Sequence, residues 1–471
     1  MDFNYQDHPY KSRRMNIFSK NGMVATSQNL AAQAGLDILK NGGNAIDAAI
    51  ATAASLTVVE PTSNGIGSDA FALVWVKDKL YGLNSSGPSP AKISIDAVKK
   101  LGYEKMPKYG FIPVTVSGAP SSWAELSRRF GKLTLKETLK PAVKYAREGF
   151  PVSPVTASAW NRQFKNHKEK LNGPEFEEWF KVFAPKGRAP KAGEVWNSID
   201  HAKTLEKIGE TNAESFYRGK LAKKIVQFSN KYDGFLSLKD YSSFKPEWVE
   251  PISVNYRGYD IWEIPPNGQG MIALLALNII KEFDFSDSNL GEIYHTAIEA
   301  LKLAFVDGKE YITDIDEMKV KVNQLLSDEY ARERKKLIGK KAMDPVPGTP
   351  PEGGTVYLAT ADNEGNYVSF IQSNYMGFGS GLVVPETGIS LQNRGNNFSL
   401  DPDHDNCLAS KKKTYHTIIP GFMSKDDKPI GPFGVMGGFM KPQGHVQVVM
   451  NTIDFKLNPQ SALDAPRWQW V

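Results

Sequence analysis

Gly353-Gly354-Thr355 places a hydroxyl residue directly after two glycines and at the head of an apolar run. Thr355 to Ala359 reads as the opening of a buried strand, Asp362-Asn363-Glu364-Gly365-Asn366 as a turn, and Tyr367 to Gln372 as the returning strand. Scission before Thr355 would free an α-amine beside the residue's own hydroxyl. A nucleophile and its base would then share one residue, the N-terminal threonine form of nucleophilic catalysis. Taken alone, the tripeptide also reads as an ordinary loop before a strand, so the rest of the chain decides.

Gly437-Gly438 suggests a second function. Ile430 to Met436 reads as a strand and Gln443 to Asp454 as a helix. Consecutive glycine amides at such a turn can aim N–H groups at one point, the chemistry of an oxyanion hole. A plain left-handed turn is the other reading. Other motifs are weaker. Gly65-Ile66-Gly67-Ser68-Asp69-Ala70 fits GxGxx(G/A), but a dinucleotide site needs a strand before it and a helix after it. Here the order is reversed, which favours a tight packing turn. Asp401-Pro402-Asp403-His404-Asp405 lacks the Gly and distal Glu of a calcium loop and reads as a solvated acidic loop. His416 reads as a satisfied core or rim histidine, and Lys411-Lys412-Lys413 as a solvated turn. No HExxH pair is present, and no metal site is expected.

The elements that would hold these residues follow from periodicity and punctuation. A polar lead-in covers residues 1–22. A helix is predicted from near Ser27 to Gly42-Gly43. Asn44 caps a second, Ala45 to Val59, which stops before Pro61 and is rich enough in small residues to be deeply buried. Strands are predicted at Ala70–Trp75, Leu80–Asn84 and Gly258–Ile264. Helices are predicted at Ser121–Phe130, Pro141–Glu148 with Pro141 in its first position, Ile199–Gly209, Glu214–Tyr232, Met271–Phe283 and Glu292–Tyr311. Met343–Gly354 has the Pro and Gly content of a linker.

Bulk composition narrows the class. The 471 residues, 41% hydrophobic, suffice for two or three domains or one large body. A net charge of +5 in a mixed background gives no case for nucleic acid. The single Cys407 excludes an internal disulfide framework and any CxxC site. No apolar run is long enough to span a membrane. No signal peptide is visible at Met1–Arg14, so the expectation is cytoplasmic.

Taken together, four blocks resemble the γ-glutamyltransferase (γ-glutamyltranspeptidase) family. They are Gly42–Ala49 with Val59-Glu60-Pro61 and Gly65-Ile66-Gly67; Gly118-Ala119-Pro120 with Pro141–Gly149; Thr355 with Asp362, Gly365-Asn366, Ser369 and Gly377–Gly381; and Gly437-Gly438 with Asn451–Asp454 and Ala465-Pro466-Arg467. The resemblance implies an α+β, N-terminal-nucleophile hydrolase fold, an αββα sandwich of two stacked antiparallel sheets. It implies an inactive precursor cut between Gly354 and Thr355, giving regions 1–354 and 355–471 that stay associated as one intertwined body. Thr355 would be nucleophile and base, Ser373 would orient it, and Gly437 and Gly438 would hold the oxyanion. No cofactor is implied. The substrates would be a γ-glutamyl or other acyl amide, with water or an amino-acid or peptide acceptor.

The pocket departs from the family pattern. The family's donor-binding arginine is missing near Ser85-Ser86-Gly87-Pro88. Its Gln and Asp align with Arg394 and Asn397, its paired serines with His416 and Thr417, and its donor-contacting Asn with Tyr375. Leu391-Gln392-Asn393-Arg394-Gly395 resembles the branch with cephalosporin-acylase-type members. The short connection from Asn397 to His416 suggests an open site. The chain also stops soon after Arg467, where relatives continue for another strand or two, which puts one sheet edge in question. Three readings follow: a γ-glutamyltransferase or glutathione hydrolase with altered contacts, an amidohydrolase for a different carboxylate-bearing acyl amide, and an uncleaved, catalytically silent binding relative.

Overall fold

The computed structural model describes residues 9–10, 14–343 and 354–471. The expected linker, over 344–353 and including Gly353, lies outside the described residues, as does much of the polar lead-in. In chain order the elements that build the site are β1 (Gly22–Thr26), α1 (Asn29–Lys40), α2 (Ala45–Val59), β2 (Asp69–Val76), β3 (Lys79–Ser85), β4 (Glu247–Val249), β5 (Ile252–Tyr256), β6 (Tyr259–Glu263), α3 (Gly270–Ile280), α4 (Leu290–Tyr311), β7 (Gly354–Asp362), β8 (Tyr367–Tyr375), β9 (Gly421–Lys425), β10 (Lys428–Phe433) and α5 (Met440–Ile453).

Among the described residues, one antiparallel sheet runs β1-β7-β8-β2-β3-β4 and a second runs β10-β9-β6-β5. Alternation along β2 shows how they stack. Phe71, Leu73 and Trp75 join Ile264, Ile371, Ile418 and Phe422 between the sheets, whereas Ala70, Ala72 and Val74 face the core built on α2. The second sheet is backed by α3, α4 and α5. The result is the expected αββα sandwich. Because β7 lies between β1 and β8, the two regions on either side of Thr355 share one sheet.

Helix α2 is buried along its whole length. Its start is fixed by a capping box: Asn44 Oδ1 accepts from Asp47 N at 3.0 Å, and Asp47 Oδ2 accepts from Asn44 N at 3.0 Å. Asp362, at the β7–β8 turn, accepts from Ala45 N at 2.8 Å and so ties the nucleophile hairpin to this helix.

Four local expectations need correction. Strand β1 was not foreseen; it pairs with the outer side of β7, with Ala25 opposite Ala359. Pro141 lies inside the helix Leu135–Glu148, which starts nearly two turns earlier at the Thr134/Glu137 capping box. The predicted helix Glu214–Tyr232 is two, Glu214–Tyr217 and Lys220–Lys231, broken at Gly219 where the backbone passes so close to Ser215 that an added Cβ would lie 2.8 Å from its Cα. In the triple-lysine segment Lys412 is buried. Its Nζ donates to the Asp405 carbonyl at 2.7 Å and sits 3.3 Å from Glu317.

The Gly65–Ala70 segment is a packing turn, as expected: a Cβ on Gly67 would lie 2.3 Å from the Ser390 carbonyl oxygen. No helix among the described residues is long and apolar enough to cross a membrane.

Candidate active site

Thr355 is the second residue of β7 and is buried. Regular pairing with β8 holds as far as Val356 opposite Gln372; the next pair is Gly354 opposite Tyr375. The extra residues form a bulge, a device that re-aims side chains. It brings Ser373 to the nucleophile, and the Thr355 hydroxyl donates to Ser373 Oγ at 3.2 Å. Ser373 Oγ also accepts from Tyr375 N at 2.8 Å. That bond helps to hold Tyr375 at φ +76°, a left-handed conformation unusual for a bulky side chain. Tyr357, two residues along β7, shares the Thr355 face, and its hydroxyl meets Ser369 Oγ at 2.9 Å. Gly434, just after β10, packs so closely on the Tyr357 ring that a Cβ would lie 2.4 Å from it. This contact brings the loop carrying Gly437 and Gly438 alongside the nucleophile strand.

Gly437 and Gly438 have φ of +111° and +51°, which glycine adopts without steric penalty. The Gly437 carbonyl accepts from Met440 N at 2.8 Å, and the Gly438 carbonyl from Gln269 Nε2 at 3.0 Å. The same Gln269 amide nitrogen donates to the Thr417 carbonyl at 2.6 Å. One side chain thus fastens the glycine turn to the predicted substrate-binding segment.

That segment forms a buried polar cluster. Arg394 is 1% exposed; its Nη1 donates to Thr417 Oγ1 at 2.7 Å, and its guanidinium lies 4.5 Å from the Tyr375 ring centroid. Its Nε is 4.0 Å from Asp69 Oδ2. His416 Nδ1 accepts from Ile418 N at 3.3 Å, so the proton sits on Nε2, which faces Asp69 Oδ2 at 3.1 Å. Asp69 itself stands opposite Ser373 in the β2–β8 register. Burial pushes the Asp69 carboxyl up to about 7, against the opposing pull of Arg394 and of the Gly87 and Gly118 amides. Burial also lowers Arg394 to about 10. It lowers His416 well below the usual range, helped by the fields of Arg394 and Lys441, so the imidazole is neutral.

Of the sequence-predicted residues, the structure brings Thr355, Ser373, Tyr375, Arg394, His416 and Thr417 into one connected neighbourhood. Asn397 is turned to the backbone, donating to the Tyr415 carbonyl at 3.1 Å. The clustered side chains are all buried, and the Asn397–His416 connection turns Asn406 and Lys412 inward while Asp401–Asp403 stay exposed. Asn406 pins it by donating to the Asn397 carbonyl at 2.8 Å and accepting from Tyr415 N at 2.9 Å.

Residues 31–471 match the family model described as gamma-glutamyltranspeptidase. The chain belongs to the γ-glutamyltranspeptidase family. Cephalosporin acylase from Bacillus halodurans, a solved structure, superposes with a TM-score of 0.95 at 63% identity, covering 100% of this chain and 87% of that one. The glutathione hydrolase-like YwrD proenzyme of Bacillus subtilis (strain 168) is 38% identical over 455 residues, 95% of this chain and 85% of its own length. The oxamate amidohydrolase proenzyme of Klebsiella pneumoniae is 33% identical over 457 residues, 96% of this chain and 85% of its own length. This γ-glutamyltranspeptidase-family chain is therefore an enzyme with the N-terminal-nucleophile hydrolase fold. Its site includes three residues that sequence reading passed over: Asp69, Gln269 and Lys441. Asp69 lay within a motif set aside as a turn. The other two gave no local signal.

Proposed function

We propose that the chain cuts itself between Gly354 and Thr355, leaving regions 1–354 and 355–471 associated, and that the freed Thr355 hydrolyses or transfers γ-glutamyl groups from glutathione-type amides. The observation that supports this most directly is the Thr355–Ser373 hydrogen bond at the head of a core strand. In self-cleavage Thr355 Oγ adds to the Gly354 carbonyl carbon, the C–N bond breaks, and the α-amine leaves as an ester forms. Water then hydrolyses the ester to a Gly354 carboxylate and the Thr355 hydroxyl. The new α-amine, with a pKa of about 7.7–8.0, is suited to act as general base. In turnover Thr355 Oγ, its proton taken by the α-amine, adds to the donor carbonyl while the Gly437 and Gly438 amides hold the oxyanion; the C–N bond then breaks, the amine leaves with that proton and an acyl ester remains. Water or an amine acceptor then releases the acyl group.

A second reading is supported by the charges around Arg394. The family's acidic partner for a donor ammonium is neutral Asn397 here, and Asp69 is already engaged by His416. Such a site suits an acyl group ending in a carboxylate without an α-amine, a glutaryl-type amide. Two measurements separate the possibilities. Intact mass must show two fragments, the second beginning at Thr355; a single uncut chain would favour a silent binding relative. Rates on γ-glutamyl and glutaryl p-nitroanilides then decide the donor, and a preference for glutaryl would reject the first reading.

Ser373→Ala should slow both self-cleavage and kcat by about 10- to 100-fold, with KM moving less than about threefold, because only the aim of the nucleophile is lost. The time course of fragment appearance and initial rates check this. An unchanged cleavage rate would remove Ser373 from the mechanism.

The donor KM should depend on pH through Asp69. Below about 7 its carboxyl is protonated, and Arg394 is free to meet an anionic donor. Above 7 the Asp69 carboxylate competes for that cation, so KM rises. kcat also rises with pH, as the Thr355 amine loses its proton near 7.7–8.0. Separate kcat and KM profiles from about pH 5.5 to 9 should show both inflections, and Asp69→Asn should abolish only that in KM.

A further inference from the structure

Lys441, in the first turn of α5, is fully buried, and its Nζ has no hydrogen-bond partner. A buried amine without a hydrogen-bond partner is costly, and natural cores rarely keep one without a purpose. The charge that acts on it is another cation: Arg394 pushes Lys441 further below its usual range than burial alone does. Its field in turn reaches His416. The turn that carries Lys441 is joined to the Arg394 cluster through Gln269, which holds both the Gly438 and Thr417 carbonyls.

Four of the unpaired atoms here are donors; one exception is the Glu263 carboxylate, whose Oε2 lies beside Gly270 while its Oε1 bonds His445 Nδ1. Arg394 Nε and Nη2, Lys441 Nζ and Tyr375 Oη are all buried, all able to donate, and all without a partner. The nearest carboxylate, Asp69, is 4.0 Å from Arg394 Nε and already faces His416. A cluster of unmatched donors around a guanidinium and a buried amine is complementary to an anion with several acceptor lone pairs. A carboxylate fits, since its two oxygens can meet the guanidinium fork and still leave lone pairs for Lys441 Nζ.

We propose that Lys441 is a specificity-determining residue of this enzyme, standing with Arg394 and the Tyr375 hydroxyl around the terminal carboxylate of the donor's acyl group. The proposal rests on the acyl-transfer reading of the site and adds a residue to it. It also gives the buried lysine a hydrogen-bond acceptor: Lys441 Nζ is partnered only while the donor is bound.

The test compares self-cleaved wild type with Lys441→Met, which keeps the length and removes the charge. Rates are measured on glutaryl p-nitroanilide and on pentanoyl p-nitroanilide, which lacks the carboxylate. The ratio of kcat/KM values, glutaryl over pentanoyl, should fall at least about tenfold in Lys441→Met, mainly through KM, and Lys441→Arg should restore most of it. Inhibition by free glutarate should weaken in parallel. An unchanged ratio with unchanged glutarate inhibition would overturn the proposal while leaving the acyl-transfer reading intact. Calorimetric titration with glutarate needs no turnover, so it answers even if both anilides prove poor substrates. Loss of binding in Lys441→Met beside intact wild-type binding supports the proposal, and absence of wild-type binding overturns it. Equal binding of glutarate and inorganic sulfate by the wild type would also count against a carboxylate-specific site. Should Lys441→Met fail to fold, Lys441→Gln replaces it under the same criteria.

Discussion

Thr355→Ala is expected to remain a single chain of 471 residues and to lose at least about 10⁴-fold in turnover of any anilide donor. Both effects share one cause. The hydroxyl that bonds to Ser373 is the atom that would attack the Gly354 carbonyl during maturation and the donor carbonyl afterwards. Without it no ester forms, the peptide bond stays closed, and the general base never appears because the Thr355 nitrogen remains an amide. No other hydroxyl stands in its place: the Ser373 oxygen is held by the Tyr375 amide on the neighbouring strand. Thr355→Ser keeps the hydroxyl but loses the methyl that restricts its rotamer. It should therefore still cleave, more slowly, with fragments appearing over a longer time. Intact mass and denaturing gels read the first effect, and initial rates the second. A cleaved or active Thr355→Ala variant would mean that the nucleophile lies elsewhere.

Much of this arrangement is legible in the order of residues, for identifiable reasons. Helix α2 is bounded by Asn44 and Pro61 and made of small residues throughout, so its limits and burial both follow from local chemistry. The β7–β8 hairpin is framed by the Asp362–Asn366 turn, where Asp362 Oδ1 accepts from Glu364 N at 2.9 Å and from Asn366 N at 3.1 Å. What could not be read locally is what non-local packing decides. Asp69 belongs to the site because β2 and β8 pair in a register that sets it opposite Ser373, far away along the chain. Lys441 and Lys412 look like surface lysines. They are buried because α5 is packed among α3 and the second sheet, and because the 397–416 loop folds inward around Asn406. The bulge between Gln372 and Tyr375 has no composition signal, yet it aims Ser373 at the Thr355 hydroxyl.

Arg394→Ala should raise the donor KM by about 30- to 4,000-fold while lowering kcat by less than about tenfold, the range that follows from removing a buried charge partner worth about 2–5 kcal/mol. The direction of the split follows from position. Arg394 is joined to Thr417 and Tyr375, and in the proposed reading it meets the end of the acyl group, not the reacting carbonyl. A fold defect is not the expected outcome. The guanidinium is buried with two nitrogens unsatisfied, so its removal relieves a desolvation cost as well as losing the Thr417 bond. Arg394→Lys should recover only part of the affinity, because an ammonium cannot present the planar fork that matches a carboxylate. The variant should also move the pH dependence. Arg394 draws the Asp69 pKa downward, so without it that carboxyl stays protonated to higher pH, and the KM inflection near 7 should shift up or vanish. A pentanoyl donor, with no charge to hold, should show little of either change. An Arg394→Ala enzyme with wild-type KM for charged donors would place the carboxylate elsewhere and leave the buried cations of this site without a role in recognition.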